Sequence, residues 1–349
     1  MNDAATGAMQ NFRSPAGPPG SDAQAGLVLL YAEGFRALPS AFVLDKKEFV
    51  LGREEGVDIR LPVSAVSRKH AALRLDRGQW IVRDLESRNG TLVDGQRVDE
   101  AVLEPLAELR IGDAIFKLVE RGARGYAHYG VDGSLVRGQS RATERATALV
   151  GGLQMDRIAA ALEQVADTLL SVILLGESGT GKEVAARELH DKSGRSGAFC
   201  AINCAALPEN LIESELFGYK KGAFSGADRD KVGLVQSAHK GTLLLDEIGD
   251  MPLTAQAKLL RVLQAREVMP LGATRPEPVD VRIVAATHRD LGRLQSEGRF
   301  RRDLFARLNE FPIHLPPLRD RKEDMFQLVQ TFLSRHGRPD LAVSFPFMA

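Results

Sequence analysis

The sequence contains little of what marks secreted, metal-stabilised or membrane-bound proteins. Only two cysteines occur in 349 residues, Cys200 and Cys204, and they are too few for a disulfide framework or a structural zinc site. No run of about 18 apolar residues occurs, and the N-terminus lacks the basic and then apolar pattern of a secretory signal. We therefore expect a soluble cytoplasmic protein with two buried thiols.

An excess of charge of either sign is also absent. Lysine and arginine together number 46, and aspartate and glutamate together also number 46. The balance of charge therefore indicates neither a generally nucleic-acid-binding surface nor an acidic tail. Hydrophobic residues make up 44% of the chain, which is enough for a substantial core, and the length favours two domains or one large domain.

A glycine-rich segment, Gly176–Lys182, lies between an apolar strand pattern and a helical pattern. This order is typical of a phosphate-binding loop, in which glycines let backbone N–H groups approach phosphate oxygens and Lys182 neutralises the β- and γ-phosphates. The pattern usually ends in a Ser or Thr that binds Mg²⁺, but Glu183 occupies that position and could reach the cation directly or through water. We expect ATP to contact Gly176, Glu177, Ser178, Gly179, Thr180, Gly181, Lys182 and Glu183.

The second half of this predicted site follows another strand pattern. Gly241–Leu245 reads as a buried parallel strand, and Asp246 and Glu247 stand at its carboxyl end. Ligands of open α/β sheets bind at the carboxyl ends of the strands. We expect Asp246 to hold Mg²⁺ and Glu247 to polarise the attacking water.

An earlier region, residues 27–120, has short alternating strands separated by turn residues, which indicates an all-β sandwich. Three of its segments, Gly52–Arg53, Ser67–His70 and Ser87–Thr91, together with the turn Val93–Gly95, resemble the forkhead-associated (FHA) domain, a phosphothreonine-binding fold. The resemblance implies that Arg53 and Ser67 contact the phosphate with help from Arg88 or Lys69, that Asn89 binds the peptide backbone, and that Gly52, His70 and Gly90 shape the loops. A sandwich kept only for protein contacts is the alternative.

Between the two nucleotide motifs, the segment Gly222–Ala227 (Gly-Ala-Phe-Ser-Gly-Ala) is poorly suited to a helix because its glycines would destabilise one. It closely resembles the Gly-Ala-Phe-Thr-Gly-Ala loop of bacterial enhancer-binding proteins, the AAA+ ATPases that activate sigma-54 RNA polymerase. Further segments share the resemblance, namely Asn203–Leu207, Leu216–Gly218, Asp246–Asp250 and Leu315–Arg319. The resemblance implies that Phe224 and Ser225 contact sigma-54.

The same resemblance implies further roles by position. Asn203 would pair with Glu247 as a switch that reports the γ-phosphate state. Thr287 and His288 fall on the sensor I segment, where His288 replaces the more common Asn. Arg301 and Arg307 match the arginine fingers that reach the ATP of a neighbouring subunit in a ring, expected to be a hexamer. Because they are six residues apart, they would not face the same way on a regular helix.

The sequence thus predicts a multi-domain protein: a disordered tail (1–26), an FHA sandwich (27–120), a linker (121–148), an α/β AAA+ P-loop domain (149–321) and a partial lid with a tail (322–349). The rest of the lid, with its sensor II arginine, and a DNA-binding helix-turn-helix are not found, and Phe345 and Phe347 stand in the tail. We expect an ATPase that activates sigma-54 transcription under phosphothreonine control. The alternative is a non-catalytic phosphopeptide-binding adaptor or dominant-negative regulator.

Overall fold

The computed structural model describes residues 24–136 and 147–341, which fall into two compact units that divide near residue 136. Most of the predicted tail, part of the predicted linker and the last eight residues, Phe345 and Phe347 among them, lie outside the described residues. Within the described ranges, no helix combines the length and apolar character that a membrane crossing requires.

The first unit consists of two β-sheets, as the alternating pattern predicts. One sheet has the strand order β2-β1-β11-β10-β7-β8 and the other has the order β4-β3-β5-β6-β9. Along β5, Ala71, Leu73 and Leu75 are each more buried than the residue that follows them, which is the pattern expected of a strand with one face on a core. The strands are β1 (Gly26–Tyr31), β2 (Ala41–Val43), β3 (Glu48–Gly52), β4 (Ile59–Arg60), β5 (Ala71–Asp76), β6 (Gln79–Asp84), β7 (Thr91–Val93), β8 (Gln96–Val98), β9 (Glu100–Leu103), β10 (Glu108–Ile111) and β11 (Ala114–Val119).

The segment after β11 differs from the linker that the sequence predicts. A short helix, α1 (Ala123–Tyr126), follows at once, and Ala123 packs with Val28 and Val119 in a buried cluster. Strands β1 and β11 are buried along their whole length, so both of their faces need cover. The segment supplies that cover, and a four-residue helix is too short to show periodicity in the sequence. Residues 137–146 of the predicted linker lie outside the described residues.

The second unit is an α/β domain around a five-stranded parallel sheet with the order β13-β14-β17-β12-β18. Its strands are β12 (Val172–Leu175), β13 (Phe199–Asn203), β14 (Thr242–Asp246), β17 (Arg282–Thr287) and β18 (Phe311–His314), and a small hairpin is formed by β15 (Glu267–Val268) and β16 (Glu277–Pro278). Its helices are α2 (Leu153–Ala166), α3 (Lys182–Lys192), α4 (Glu209–Phe217), α5 (Leu234–Ser237), α6 (Leu253–Ala265), α7 (Leu291–Ser296), α8 (Arg302–Leu308) and α9 (Met325–Arg335).

Both faces of this sheet are covered. On β14, Leu243 and Leu245 belong to one buried cluster with α4 and α6, whereas Leu244 belongs to a second cluster with α2 and α3. A strand buried on both faces reads as a continuous apolar run, which is why this strand was recognisable in the sequence. The carboxyl ends of the strands meet at one edge of the sheet, where the glycine-rich segment and the acidic pair both lie.

Candidate nucleotide, partner and phosphopeptide sites

The glycine-rich segment forms a loop between β12 and α3, as predicted. Gly179 and Gly181 have φ angles of 79° and 100°, in the left-handed region that glycine adopts at little cost. Gly181 is the N-cap of α3, and Lys182 is the first residue of that helix. The loop therefore lies at a helix N-terminus, where backbone N–H groups and the helix dipole favour an anion.

Lys182 reaches across this loop. Its Nζ donates hydrogen bonds to the carbonyl oxygens of Gly176 at 2.9 Å and Glu177 at 3.0 Å, and it lies 4.0 Å from a carboxylate oxygen of Glu247. The residue is only 7% exposed. The ammonium group is thus held in the loop, next to the acidic pair, by carbonyls that phosphate oxygens can replace.

The acidic pair lies at the carboxyl end of β14. Burial raises the pKa of Asp246, and the charges of Glu247 and, more weakly, Glu183 raise it further. Glu183 is itself exposed and lies 3.8 Å from Arg187. Carboxylates that repel one another in this way fit a divalent cation, which would relieve the repulsion. No group of three or more metal-binding side chains occurs in residues 24–136 and 147–341, so Mg²⁺ here would also need phosphate and water oxygens.

The predicted pair between Asn203 and Glu247 is not formed. Asn203 instead donates from Nδ2 to Asp246 at 3.3 Å, since the two residues are direct partners in the β13–β14 pairing. Glu247 has a φ of 50°, and its carboxylate lies at the end of β17. There it accepts hydrogen bonds from the N–H of His288 at 3.3 Å and from His288 Nδ1 at 2.8 Å, and Thr287 Oγ1 lies 3.5 Å away. The sensor I segment therefore contacts the acidic pair directly.

The two predicted arginine fingers occupy different positions around α8. Arg301 is the N-cap of α8, ahead of the helix, and its guanidinium forms an ion pair with Asp303 at 2.7 Å. Arg307 is in the last turn and lines a hollow with Ser171 and Glu310, which precede β12 and β18. Arg307 is thus near the amino ends of these strands, whereas Lys182 follows their carboxyl ends. As predicted from their spacing, the two arginines do not share one face of a regular helix.

The segment Gly222–Ala227 is an irregular loop between α4 and α5. The N–H of Gly222 donates to the carbonyl of Ala227 at 2.8 Å, which closes the loop, and Gly222 and Gly226 both have positive φ angles. Phe224 is 46% exposed at the tip, with its ring edge-on to Tyr219 at 4.9 Å. Ser225 follows it, also exposed. The loop therefore presents an aromatic side chain to solvent, which is typical of a surface that binds another protein.

In the first unit, the predicted phosphate-binding loops converge. The N–H of Arg53 donates to the carbonyl of Ser67 at 2.9 Å, and the hydroxyl of Ser67 accepts from the N–H of Arg88 at 3.0 Å. Asn89 Nδ2 donates to the carbonyl of Ala65 at 2.7 Å. Arg53 and Arg88 are both exposed, and their backbone N–H groups bond to Ser67, so these loops bring two arginines and a hydroxyl into one region of the surface.

The residues expected to shape these loops do so. His70 is fully buried; its Nδ1 accepts from the N–H of Ser67 at 3.1 Å, so its Nε2 carries the proton and donates to the carbonyl of Gly90 at 3.2 Å. Burial lowers the pKa of His70. A Cβ at Gly52 would lie 2.0 Å from the carbonyl oxygen of Arg68, so only glycine fits there.

Three further residues of these sites were not assigned a role from the sequence. Asp84 accepts hydrogen bonds from the N–H and hydroxyl of Ser87 and from the hydroxyl of Thr91. Its position three residues before a Ser was a usable turn signal. Arg319 and Arg321 donate hydrogen bonds to Glu177 and Thr180 of the glycine loop, about 140 positions earlier in the chain. A local sequence pattern does not predict contacts between residues so far apart.

These observations define an α/β domain with a P-loop and, as a separate unit, a β-sandwich whose loops carry exposed arginines. Residues 150–314 match the family model of the sigma-54 interaction domain, and residues 49–115 match that of the FHA domain. The chain therefore contains an FHA domain and a sigma-54 interaction domain, which is an AAA+ domain.

Similar proteins match the second unit. The uric acid sigma-54-dependent transcriptional regulator UacR of Escherichia coli (strain K12) is 58% identical over 179 residues, which is 51% of this chain and 30% of UacR. The regulator NtrC of Azospirillum brasilense is 54% identical over 198 residues, 56% of this chain and 41% of NtrC. The crystal structure of NtrX from Brucella abortus in complex with ATP has a TM-score of 0.51 and 39% identity, and the match covers 55% of this chain and 42% of NtrX. The chain thus spans less than half the length of these proteins.

Proposed function

We propose that this chain is an ATP-driven activator of sigma-54 RNA polymerase that is regulated by a phosphothreonine-containing partner. The observation that carries the proposal is the convergence of Lys182, Asp246 and Glu247 at one edge of the sheet, in a domain that also presents the exposed Phe224 loop. The ATP complex of NtrX, whose fold this unit shares, supports ATP as the nucleotide.

The side chains divide the work of hydrolysis. Lys182 exchanges its two carbonyl contacts for the β- and γ-phosphates, and the loop N–H groups at the start of α3 bind the remaining oxygens. Asp246 holds Mg²⁺, which supplies charge neutralisation on the phosphates when bound. Glu247 orients and polarises the attacking water, and His288 and Thr287 position its carboxylate.

Arg301 and Arg307 act on the nucleotide of a neighbouring copy of the chain. The distance of Arg307 from the loop of its own subunit, across the length of the sheet, supports action in trans. An arginine supplied in trans contributes roughly 10³–10⁵ in rate in other nucleotide hydrolases, so hydrolysis depends on assembly into a ring such as a hexamer. The rings then move the Phe224 and Ser225 loops against sigma-54.

The FHA domain binds a phosphothreonine through Arg53, Ser67, Arg88 and Asn89. A phosphate dianion is well matched by the Arg53 and Arg88 guanidinium groups and the Ser67 hydroxyl. His70 and Asp84 fix the loops that carry Ser67, Arg88 and Asn89, and the backbone bond from Arg53 to Ser67 joins the third loop to them, so the donors are preorganised. This domain recruits the protein to a phosphorylated partner or makes it responsive to a kinase.

The experiment is phosphate release from ATP over a range of protein concentrations, with Lys182→Ala as the blank. Specific activity that rises with concentration is expected, because subunits then donate Arg301 or Arg307 to one another. A rate equal to the blank at every concentration would contradict the ATPase role and leave the non-catalytic phosphopeptide-binding adaptor as the function.

A further inference from the structure

A segment distant in sequence runs along the glycine loop, contacting the end of β12 at one point and the loop itself at two. We call residues 315–321 the strap. The N–H of Leu315 donates to the carbonyl of Leu175 at 2.8 Å, immediately before the loop. The guanidinium of Arg321 donates to the carbonyl of Thr180 at 3.2 Å. Between these points, both terminal nitrogens of Arg319 donate hydrogen bonds to the carboxylate of Glu177, Nη1 to Oε2 at 2.7 Å and Nη2 to Oε1.

The Glu177 carboxylate is a disadvantage in a loop that binds phosphates. It is the second residue of the loop, and its own carbonyl accepts a hydrogen bond from Lys182 at 3.0 Å. Hydrogen bonding to Arg319 lowers the pKa of Glu177, so the carboxylate is ionised at neutral pH. A fixed negative charge at this position repels a polyphosphate unless a cation compensates it.

We propose that Arg319 is a positioning residue for the nucleotide: by neutralising Glu177, it lets the loop accept the phosphates of a nucleoside polyphosphate. This inference rests on the proposed function and deepens it. Arg319 acts through Glu177 rather than on the reacting atoms. The bidentate contact suits an arginine, whose planar guanidinium matches both carboxylate oxygens.

The structure separates this electrostatic role from a structural one. Leu315 and Arg321 are buried and anchor the strap, whereas the side chain of Arg319 is 62% exposed. Removing Arg319 therefore leaves no buried polar group without a partner, and exposed ion pairs of this kind contribute little to folding. A defect in Arg319→Ala should appear in nucleotide affinity and not in fold stability.

The test is a titration of the full chain with fluorescent N-methylanthraniloyl-ADP, which reports binding without turnover. At an ionic strength of about 50 mM we expect Arg319→Ala to weaken binding about fivefold, and at about 500 mM the difference should shrink because salt screens the Glu177 charge. Arg319→Lys keeps the charge and should retain most of the affinity.

The double variant Glu177→Gln with Arg319→Ala should recover the wild-type Kd, since neither charge remains. Arg60→Ala, which removes another exposed arginine paired with a glutamate, is the control in the FHA domain.

Two results would overturn the inference: wild-type affinity in Arg319→Ala, or a double variant as weak as the single one. The second would mean that Arg319 acts by some route other than Glu177. If wild-type protein binds the nucleotide no better than Lys182→Ala, the proposed function fails, and this inference fails with it. Wild-type binding that Lys182→Ala abolishes and Arg319→Ala leaves unchanged overturns the inference alone.

Discussion

Arg282 offers a sharp test of how the AAA+ domain is held together. It begins β17, is fully buried, and donates from its two terminal nitrogens to the carbonyls of Ala166 at 2.6 Å and Val165 at 2.7 Å. These carbonyls are in the last turn of α2, where a cation is favourable. Burial lowers the pKa of Arg282 to about 10, yet the group stays charged at neutral pH. The side chain thus joins the central sheet to the helix in front of β12.

The cost of removing it can be worked from these contacts. Hydrogen bonds to a charged group contribute about 1.5–3 kcal/mol each. The Ala166 carbonyl would lose its donor in a buried place, whereas the Val165 carbonyl keeps its hydrogen bonds from the N–H and hydroxyl of Thr168. We therefore expect Arg282→Met, which keeps the aliphatic stem, to lower the free energy of unfolding by about 3–5 kcal/mol. Arg282→Lys keeps the charge and one donor direction, so it should lose about half as much.

The assay is urea denaturation of the full chain followed by circular dichroism and by tryptophan fluorescence. The single tryptophan, Trp80, is in the FHA domain, so its fluorescence follows that domain and serves as an internal reference. The Met variant should shift the circular dichroism transition that belongs to the AAA+ domain, and the Trp80 transition should keep its midpoint. A Met variant within about 0.5 kcal/mol of wild type would refute the reasoning, because the two hydrogen bonds of Arg282 would then contribute nothing to stability.

Three other predictions concern the separate sites. Arg53→Ala should abolish binding of a phosphothreonine peptide, measured by fluorescence anisotropy, without moving the Trp80 unfolding transition; unchanged affinity would rule out the assigned site. Phe224→Ala should leave ATP turnover intact but lose binding to sigma-54 in a pull-down, and retained binding would contradict the contact role. The pKa of His70 is lower in the folded FHA domain than its usual value of 6.5, so the unfolded chain binds more protons between the two values. Stability of that domain should therefore be full above about pH 6.5 and fall below it, and His70→Gln should flatten this dependence in Trp80-monitored urea midpoints.

The sequence predicted the parts of this protein that are local in the chain. The glycine loop, the buried β14 with its acidic end, and the turn-rich FHA loops all depend on short segments whose residue types dictate their conformation. Element ends are less well determined by residue type: helix α2 stops at Ala166, and Leu169 just beyond it is apolar yet 53% exposed.

What the sequence could not predict depends on contacts between distant residues or on one dihedral angle. Arg319 and Glu177 are 142 positions apart, so no window of sequence contains both. The partner of Asn203 depends on the backbone of Glu247, because a left-handed residue at the end of β14 sends its side chain toward β17 and away from β13. No residue type announces that conformation.

The left-handed backbone of Glu247 also lowers the stability of the fold at a residue that the proposed chemistry requires. A residue with a Cβ gives up about 1–2 kcal/mol to adopt this conformation, which glycine would adopt almost freely. Glycine, however, carries no carboxylate with which to polarise water. The domain thus has a less stable backbone at the position where the proposed hydrolysis needs a carboxylate. A screen for thermal stability alone would therefore favour Glu247→Gly, which would remove the proposed activity.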